Sequence, residues 1–181
     1  MKELSLNILD IAENSVKAKA NLTEISVTET EDKLVLTITD DGTGMTSEIL
    51  KTVTDPFYTT RTTRSVGMGL PLLKLEAEMT GGSMEITSVH TSKDSVNHGT
   101  KVKAVFYKNH IDCIPLGDTV ETVATLIQGH PDTDFLFTHT GEGFEVRLDT
   151  RELREVLDGV PLNTFEVIKW IKEYLNEQYI K

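Results

Sequence analysis

The sequence predicts an α+β fold for this chain of 181 residues. An amphipathic helix, with apolar residues three and four positions apart, opens the chain. Two pairs of segments that alternate apolar and polar residues follow it, as half-buried strands do, and a short helix and a longer one separate the pairs. Beyond residue 108 the pattern continues as a helix, a hairpin and two helices.

The composition is that of a globular protein and excludes several classes. Hydrophobic residues make up 38% of the chain, enough for a core. Acidic residues outnumber basic ones by 29 to 18, and this net charge of −11 disfavours nucleic acid and anionic membranes as partners. Cys113 is the only cysteine, which excludes an intrachain disulfide and a cysteine-based zinc site. Asp10 and Glu13 interrupt the apolar residues of the N-terminal segment, so we expect neither a signal peptide nor a membrane span there. We therefore expect a cytoplasmic protein.

Each element of residues 1–108 has its own signal. Leu4, Ile8 and Ile11 lie on one face of the first helix, and the polar turn 30–32 joins the first two strands. A glycine pair at 81–82 ends the second long helix. In chain order we expect a helix over roughly residues 3–18, strands at 24–29 and 33–40, a short helix at 47–53, a loop at 55–65, a helix from Leu70 to Met79, and strands at 83–90 and 99–107.

Residues 109–181 differ from the rest in charge. Residues 1–108 hold 15 acidic and 12 basic side chains, whereas residues 109–181 hold 14 and 6, for net charges of −3 and −8. Asp118, Asp149 and Asn163 are each followed three positions later by Glu, a pattern typical of helix starts. Strands at 134–139 and 144–149, joined by a turn at 140–143, are the other elements expected in residues 109–181. We therefore divide the chain into a domain at 1–108 and a small acidic α/β appendage at 109–181.

Three polar residues are expected on one face of the first helix. Asp10 and Asn14 are four positions apart, and Lys17 follows almost one turn later. Carboxylate and amide oxygens suit Mg²⁺ and its waters, and a carboxylate can accept a proton from an attacking water. The alternative interpretation is an ordinary polar stripe that faces solvent.

Two glycine-containing segments are candidate ligand sites. Residues 40–45 (DDGTGM) end the second strand, where glycines permit a tight turn and Asp40 can accept a hydrogen bond from an exocyclic amine. A hairpin turn or a fragment of a calcium loop would explain the same residues. Residues 67–70 (GMGL) stand where a loop becomes a helix, which favours anion binding. They are not a Walker A loop, because no Gly-Lys-Ser/Thr follows.

Taken in order, the motifs resemble those of the GHKL superfamily, the ATP-binding domains of gyrase, the heat-shock chaperone, histidine kinases and MutL. LDIAENSVKAKA is similar to its N box, DDGTGM to its G1 box, DPFYTTR to its F box and GMGLPLLK to its G2 box. The resemblance covers roughly residues 1–107. It implies a two-layer α/β sandwich, the Bergerat ATP-binding fold, in which ATP lies between the sheet edge and a lid at residues 56–66.

The resemblance also implies an ATP and Mg²⁺ site. Asn14 would bind the Mg²⁺, and Asp40 would bind the adenine amino group with support from Thr100. Asp10 stands where ATPase members carry a Glu base and many kinases carry Asn, so direct activation of water and a water-relayed or metal-positioning role both remain open. The other nucleotide-binding residues that the motifs imply are Lys17, Gly42, Gly44, Met45, Arg61, Gly67, Met68, Gly69 and Leu70.

The predicted function is transfer of the γ-phosphate to a separate protein in signalling. Only nine residues precede Asp10, so we expect no phosphoacceptor helical hairpin ahead of the domain and no exchangeable arm for an ATP-gated clamp. The alternatives are a slow ATP hydrolase and a non-catalytic, ATP-dependent switch that binds a regulatory partner. The sequence also leaves open whether the chain forms a homodimer. The five histidines lack metal-binding spacing and are expected to be hydrogen-bonded or exposed, and Trp170 is expected to pack.

Overall fold

The computed structural model describes residues 2–55 and 68–181, which form one mixed sheet with helices against it. The predicted α+β class is confirmed. The predicted lid, which includes Arg61, and the predicted phosphate-binding residue Gly67 both lie outside the described residues. The helices are α1 (Leu4–Lys17), α2 (Ser47–Thr52), α3 (Gly69–Met79), α4 (Thr119–Gly129), α5 (Thr150–Leu157) and α6 (Phe165–Ile180), and the strands are β1 (Leu22–Glu29), β2 (Lys33–Asp40), β3 (Ser83–Val89), β4 (Gly99–Tyr107), β5 (Asp134–Gly141) and β6 (Phe144–Asp149).

The sheet has the strand order β3-β4-β2-β1-β5-β6 and is antiparallel except between β1 and β5. Alternate residues of the central strands, such as Ile25, Leu36 and Phe106, are fully buried on the face that the helices cover. Their neighbours on the other face include exposed Glu24 and Lys103. This alternation gives two layers, with the core between helices and sheet.

Residues 109–181 extend the same sheet and core. β5 lies parallel to β1, with Ile25 opposite Phe137, and α4 packs against α1 and α6. Leu126, Phe137 and Ile171 belong to one buried cluster with Leu4 and Ile8 of α1. The division at residue 108 stays a prediction, and it would separate strands that share this sheet.

Two of the three predicted helix caps are confirmed. The Asp118 carboxylate accepts from the Glu121 N–H at 2.8 Å, and the Asp149 carboxylate accepts from the Arg151 N–H at 3.0 Å. The prediction for Asn163 is wrong by one residue, because the Thr164 N–H donates to the Pro161 carbonyl in a turn and α6 begins only after Thr164. The predicted turn at 140–143 is also shorter, since β5 continues to Gly141.

A buried hydrogen-bonded cluster fastens α6 to the sheet. His139 of β5 is 4% exposed, and its Nδ1 lies 2.7 Å from the Tyr179 hydroxyl of α6. Its Nε2 lies 2.9 Å from Glu29 of β1, whose other oxygen pairs with Lys108 at 2.8 Å. Because a carboxylate only accepts, Nε2 carries the proton and Nδ1 accepts from Tyr179. His139 is thus hydrogen-bonded, as expected.

This cluster predicts a pH dependence of stability. Burial lowers the pKa of His139, although the hydrogen bond to Glu29 opposes the shift. Below about pH 6.5 the unfolded chain therefore binds a proton that the folded chain resists, and the free energy of unfolding should fall as the pH drops from about 7 to about 5.5. Urea denaturation across this range should give a shallower dependence in His139→Gln than in the wild type. Equal slopes would contradict a neutral, buried His139.

Within residues 2–55 and 68–181, no helix combines the length and the apolar content that crossing a membrane requires.

Candidate functional site

A cavity of about 310 Å³ lies between α1, the ends of β2 and β4, and the start of α3. Its size falls within the range of small-molecule pockets, roughly 300–1,000 Å³. Apolar side chains such as Ile11, Ile38 and Val102 line it alongside polar ones. The site residues predicted from the sequence that line it are Asn14, Lys17, Asp40, Gly44, Met45, Leu70 and Thr100.

Two hydrogen bonds hold the Asp40 carboxylate at the end of β2. Its Oδ2 accepts from the Ser15 hydroxyl at 2.7 Å, and its Oδ1 accepts from the Gly42 N–H at 2.9 Å. A carboxylate has about four acceptor positions, so this arrangement orients Asp40 and leaves capacity for an amine donor. Sequence reasoning missed Ser15, whose signal was a polar residue next to Asn14 on the inner face of α1.

A pair of hydroxyl groups, on β3 and β4, lies beside Asp40. Thr100 of β4 lies opposite Asp40 in the sheet register, and its hydroxyl is 2.8 Å from that of Ser88 on β3. The Met45 N–H donates to the same Ser88 oxygen at 2.7 Å. Ser88 therefore ties the turn after β2 to the sheet beside the cavity, a role with no local signal in the sequence.

The turn after β2 requires glycine at two positions. Gly44 has a φ of +70°, and a side chain there would collide with the Val89 carbonyl. A Cβ on Gly42 would lie 2.9 Å from that of Ala18 at the end of α1. The Gly42 carbonyl also contacts Nδ1 of His98, another residue not predicted for the site. These close approaches bring the turn against α1 and shape one wall of the cavity.

The other predicted residues lie around α3. A Cβ on Gly69 would stand 3.2 Å from the Cβ of Asp10, so the absence of a side chain lets α1 and the start of α3 approach closely. Asp10 is exposed and sits beside this helix terminus, next to the cavity lining but not part of it. Leu70 is buried, whereas Met68, the residue before α3, is 59% exposed. Backbone N–H groups in the first turn of α3 suit a phosphate.

Glu13 of α1 is directed towards the C-terminal part of the chain. Its carboxylate lies 2.8 Å from Nε2 of His130, the residue that follows α4. Among residues 2–55 and 68–181 there is no cluster of three His, Cys, Asp or Glu side chains that could hold a metal ion. A cation at this site would therefore depend on Asn14, neighbouring Asp10, and oxygens that a ligand brings.

The sequence matches a known family over its first part. The family described as "Histidine kinase-, DNA gyrase B-, and HSP90-like ATPase" matches residues 2–110. Sporulation kinase C of Bacillus subtilis (strain 168) is 32% identical over 46% of this chain and 22% of its own length. Sensor histidine kinase YxdK of the same organism is 33% identical over 58% of this chain and 33% of its own length. This chain thus spans a third or less of the curated relatives that it matches.

Solved structures share the fold over most of the chain. The Aquifex aeolicus MutL ATPase domain complexed with ADP superposes with a TM-score of 0.53 at 14% identity, covering 87% of this chain and 70% of that one. The N-terminal domain of a DNA repair protein gives 0.55 at 15% identity, covering 82% and 52%. Both superpositions cover more of this chain than the family match over residues 2–110, so part of the chain beyond residue 110 takes part in the likeness.

Proposed function

Because this chain belongs to the family of histidine kinase-, DNA gyrase B- and HSP90-like ATPases, we propose that its cavity binds ATP with Mg²⁺ and that it transfers the γ-phosphate to a separate partner protein. The observation that carries the proposal is the fixed Asp40 carboxylate at one end of a cavity whose other end meets the start of α3. The end with Asp40 can recognise a nucleobase, and the end at the start of α3 can bind phosphates.

Adenine would lie against the β2 and β4 end of the cavity. The exocyclic amine of adenine donates, and Asp40, oriented by Ser15 and Gly42, accepts. Thr100 stands opposite Asp40 and offers a hydroxyl for the same edge of the base, directly or through water. The apolar lining, including Ile38 and Val102, suits a flat aromatic ring.

The triphosphate would run from there towards α3. Lys17 lines the cavity and supplies a positive charge, and the helix terminus at Gly69 supplies backbone donors. Asn14 lines the cavity and carries a hard amide oxygen. Mg²⁺ in proteins is held by one or two oxygen-bearing side chains, usually carboxylates, together with phosphates and waters. The donor set therefore fits Mg²⁺, which would neutralise charge on the transferring phosphoryl group.

The reaction requires a nucleophile from the partner protein. That nucleophile forms a bond to the γ-phosphorus, the bond to the β–γ bridging oxygen breaks, and ADP leaves. Asp10, beside Gly69, is the nearest carboxylate of α1 to the start of α3 and could accept the proton that the nucleophile loses. Two of the relatives, Sporulation kinase C and sensor histidine kinase YxdK, carry the names of kinases, which supports transfer to a protein.

ATP hydrolysis is the second candidate, and the position of Asp10 favours it. An exposed carboxylate beside the proposed phosphate end is open to solvent and can orient or deprotonate water as well as a protein nucleophile. The two reactions share every binding residue and differ only in the attacking group.

Incubation with γ-labelled ATP distinguishes these reactions. The pure chain is incubated alone and with the proteins encoded by neighbouring genes, and both protein-bound label and free phosphate are followed over time. We expect label on one partner protein and none without it. Free phosphate that accumulates without any partner would instead establish the hydrolase. Tight ATP binding with neither product would contradict both reactions and leave an ATP-dependent switch.

A further inference from the structure

A second and larger cavity, about 510 Å³, lies in the C-terminal part of the chain. Leu148 of β6 forms its floor, α5 forms one wall with Leu153 and Val156, and α6 forms the other with Val167 and Trp170. We call it the α5–α6 groove. It shares no lining residue with the candidate nucleotide site. Val156 is 81% exposed and Trp170 45% exposed, so the described residues leave an apolar surface uncovered.

One wall of the α5–α6 groove matches a short helix in length. Glu166, Trp170 and Tyr174 are four residues apart on α6 and lie on one face, with the two aromatic rings stacked at 4.8 Å. From Glu166 to Tyr174 this wall is about 12 Å long, which matches two turns of a docked helix. Amphipathic helices bind such grooves through apolar residues at i, i+3, i+4 and i+7.

The charged groups in the groove favour a cation. Arg147 donates to both carboxylate oxygens of Glu152, at 2.9 and 2.8 Å, and also contacts Asp149. Its charge is therefore matched within the chain. The side chain of Glu166, on the opposite wall, forms no hydrogen bond or ion pair with any described residue. Of the four charged lining residues, three are acidic and one is basic.

The surroundings of the groove are negative as well. Residues 109–181 carry a net charge of −8, from 14 acidic and 6 basic side chains. In residues 109–181, the five basic side chains other than Lys181 each lie within ion-pair distance of a carboxylate. The surplus acidic side chains therefore set the local potential. These pairs are Arg147 with Glu152, Arg151 with Asp149, Arg154 with Asp134, Lys169 with Glu173, and Lys172 with Glu121.

We infer that the α5–α6 groove binds a cationic amphipathic helix of a partner protein. Its apolar side chains enter between Val156 and Trp170, and its basic side chains lie against Glu166 and the surplus acids around the groove. The groove is separate from the nucleotide cavity, so this inference does not depend on the proposed phosphotransfer.

The chain contains its own reporter, because Trp170 is the only tryptophan. The full chain, without nucleotide, is titrated with a synthetic peptide of about 18 residues, long enough to form a helix, with leucines at i, i+3, i+4 and i+7 and lysines elsewhere. We expect a saturable blue shift of Trp170 emission, since a docked helix removes the ring from water. A peptide of the same composition in scrambled order, and one with glutamate in place of lysine, should give no saturable shift.

A matched pair of variants tests whether the groove itself is responsible. Val156→Lys places a charge in the groove, whereas Val96→Lys makes the same change at the same 81% exposure in the loop before β4. We expect Val156→Lys to weaken binding of the leucine–lysine peptide at least about tenfold and Val96→Lys to leave it within about twofold. Equal effects of the two variants, or equal shifts with all three peptides, would overturn the inference. A shift that appears on concentrating the chain without peptide would assign the groove to a second copy of this chain instead.

Discussion

Asp40→Asn is expected to abolish measurable ATP binding, lowering the affinity at least about a hundredfold. The Asp40 carboxylate accepts from Ser15 and Gly42 and has capacity left for the adenine amine. An amide has only one acceptor oxygen, so either the Ser15 hydroxyl must turn from donor to acceptor, or the Gly42 N–H or the adenine amine would face the new NH₂ group. Losing a hydrogen bond to a charged group costs about 1.5–3 kcal/mol, and a hundredfold loss of affinity corresponds to about 2.7 kcal/mol.

Asp41→Asn is the matched control for this prediction. Asp41 is exposed, and a single oxygen, Oδ1, accepts from the Asn21 and Leu22 N–H groups at 2.7 and 3.0 Å. An asparagine oxygen can keep both bonds, so ATP affinity should stay within about twofold of the wild type. Isothermal titration calorimetry measures both variants, and circular dichroism checks that they fold. Normal affinity in Asp40→Asn would overturn the assignment of the cavity to nucleotide.

The parts of the site that could be predicted from the sequence are those with local signals. Asp40, Gly42 and Gly44 follow one another along a turn whose backbone demands are visible in the residue types, and Asn14 and Lys17 share a face of one helix. The structure brings Asn14, Lys17, Asp40 and Gly44 into one cavity. Local patterns suffice here because the positions of these side chains depend on a single helix or turn.

Ser15, Ser88 and His98 escaped prediction because their roles arise between elements. Ser15 contacts Asp40 only where α1 crosses the end of β2, and Ser88 meets Thr100 through the pairing of β3 with β4. The same reason applies to the fold. The hairpin of β5 and β6 was expected as a local unit, yet the parallel pairing of β5 with β1, which joins both parts of the chain in one sheet, is a long-range choice without a local signal.

Asp10→Asn is expected to separate binding from chemistry. Asp10 stands beside Gly69 and outside the lining of the cavity, so the substitution should leave the affinity for ATP within about threefold. A carboxylate that accepts the proton of the attacking group contributes about 10²–10⁴ to the rate. The kcat of whichever reaction the labelled-ATP experiment identifies should therefore fall at least about a hundredfold, with little change in KM.

Glu13→Gln provides the matched control for Asp10→Asn, since it neutralises another carboxylate of the same helix. Glu13 contacts His130 at the end of α4 and so is engaged away from the start of α3, which means that its loss should leave kcat within about twofold. Steady-state kinetics at several Mg²⁺ concentrations distinguish the two roles of Asp10. If the carboxylate accepts the proton, excess Mg²⁺ cannot restore turnover, whereas a residue that only helps to position the metal should be rescued by it. Unchanged turnover in Asp10→Asn would remove this carboxylate from the chemistry and leave proton transfer to a group on the partner or to solvent.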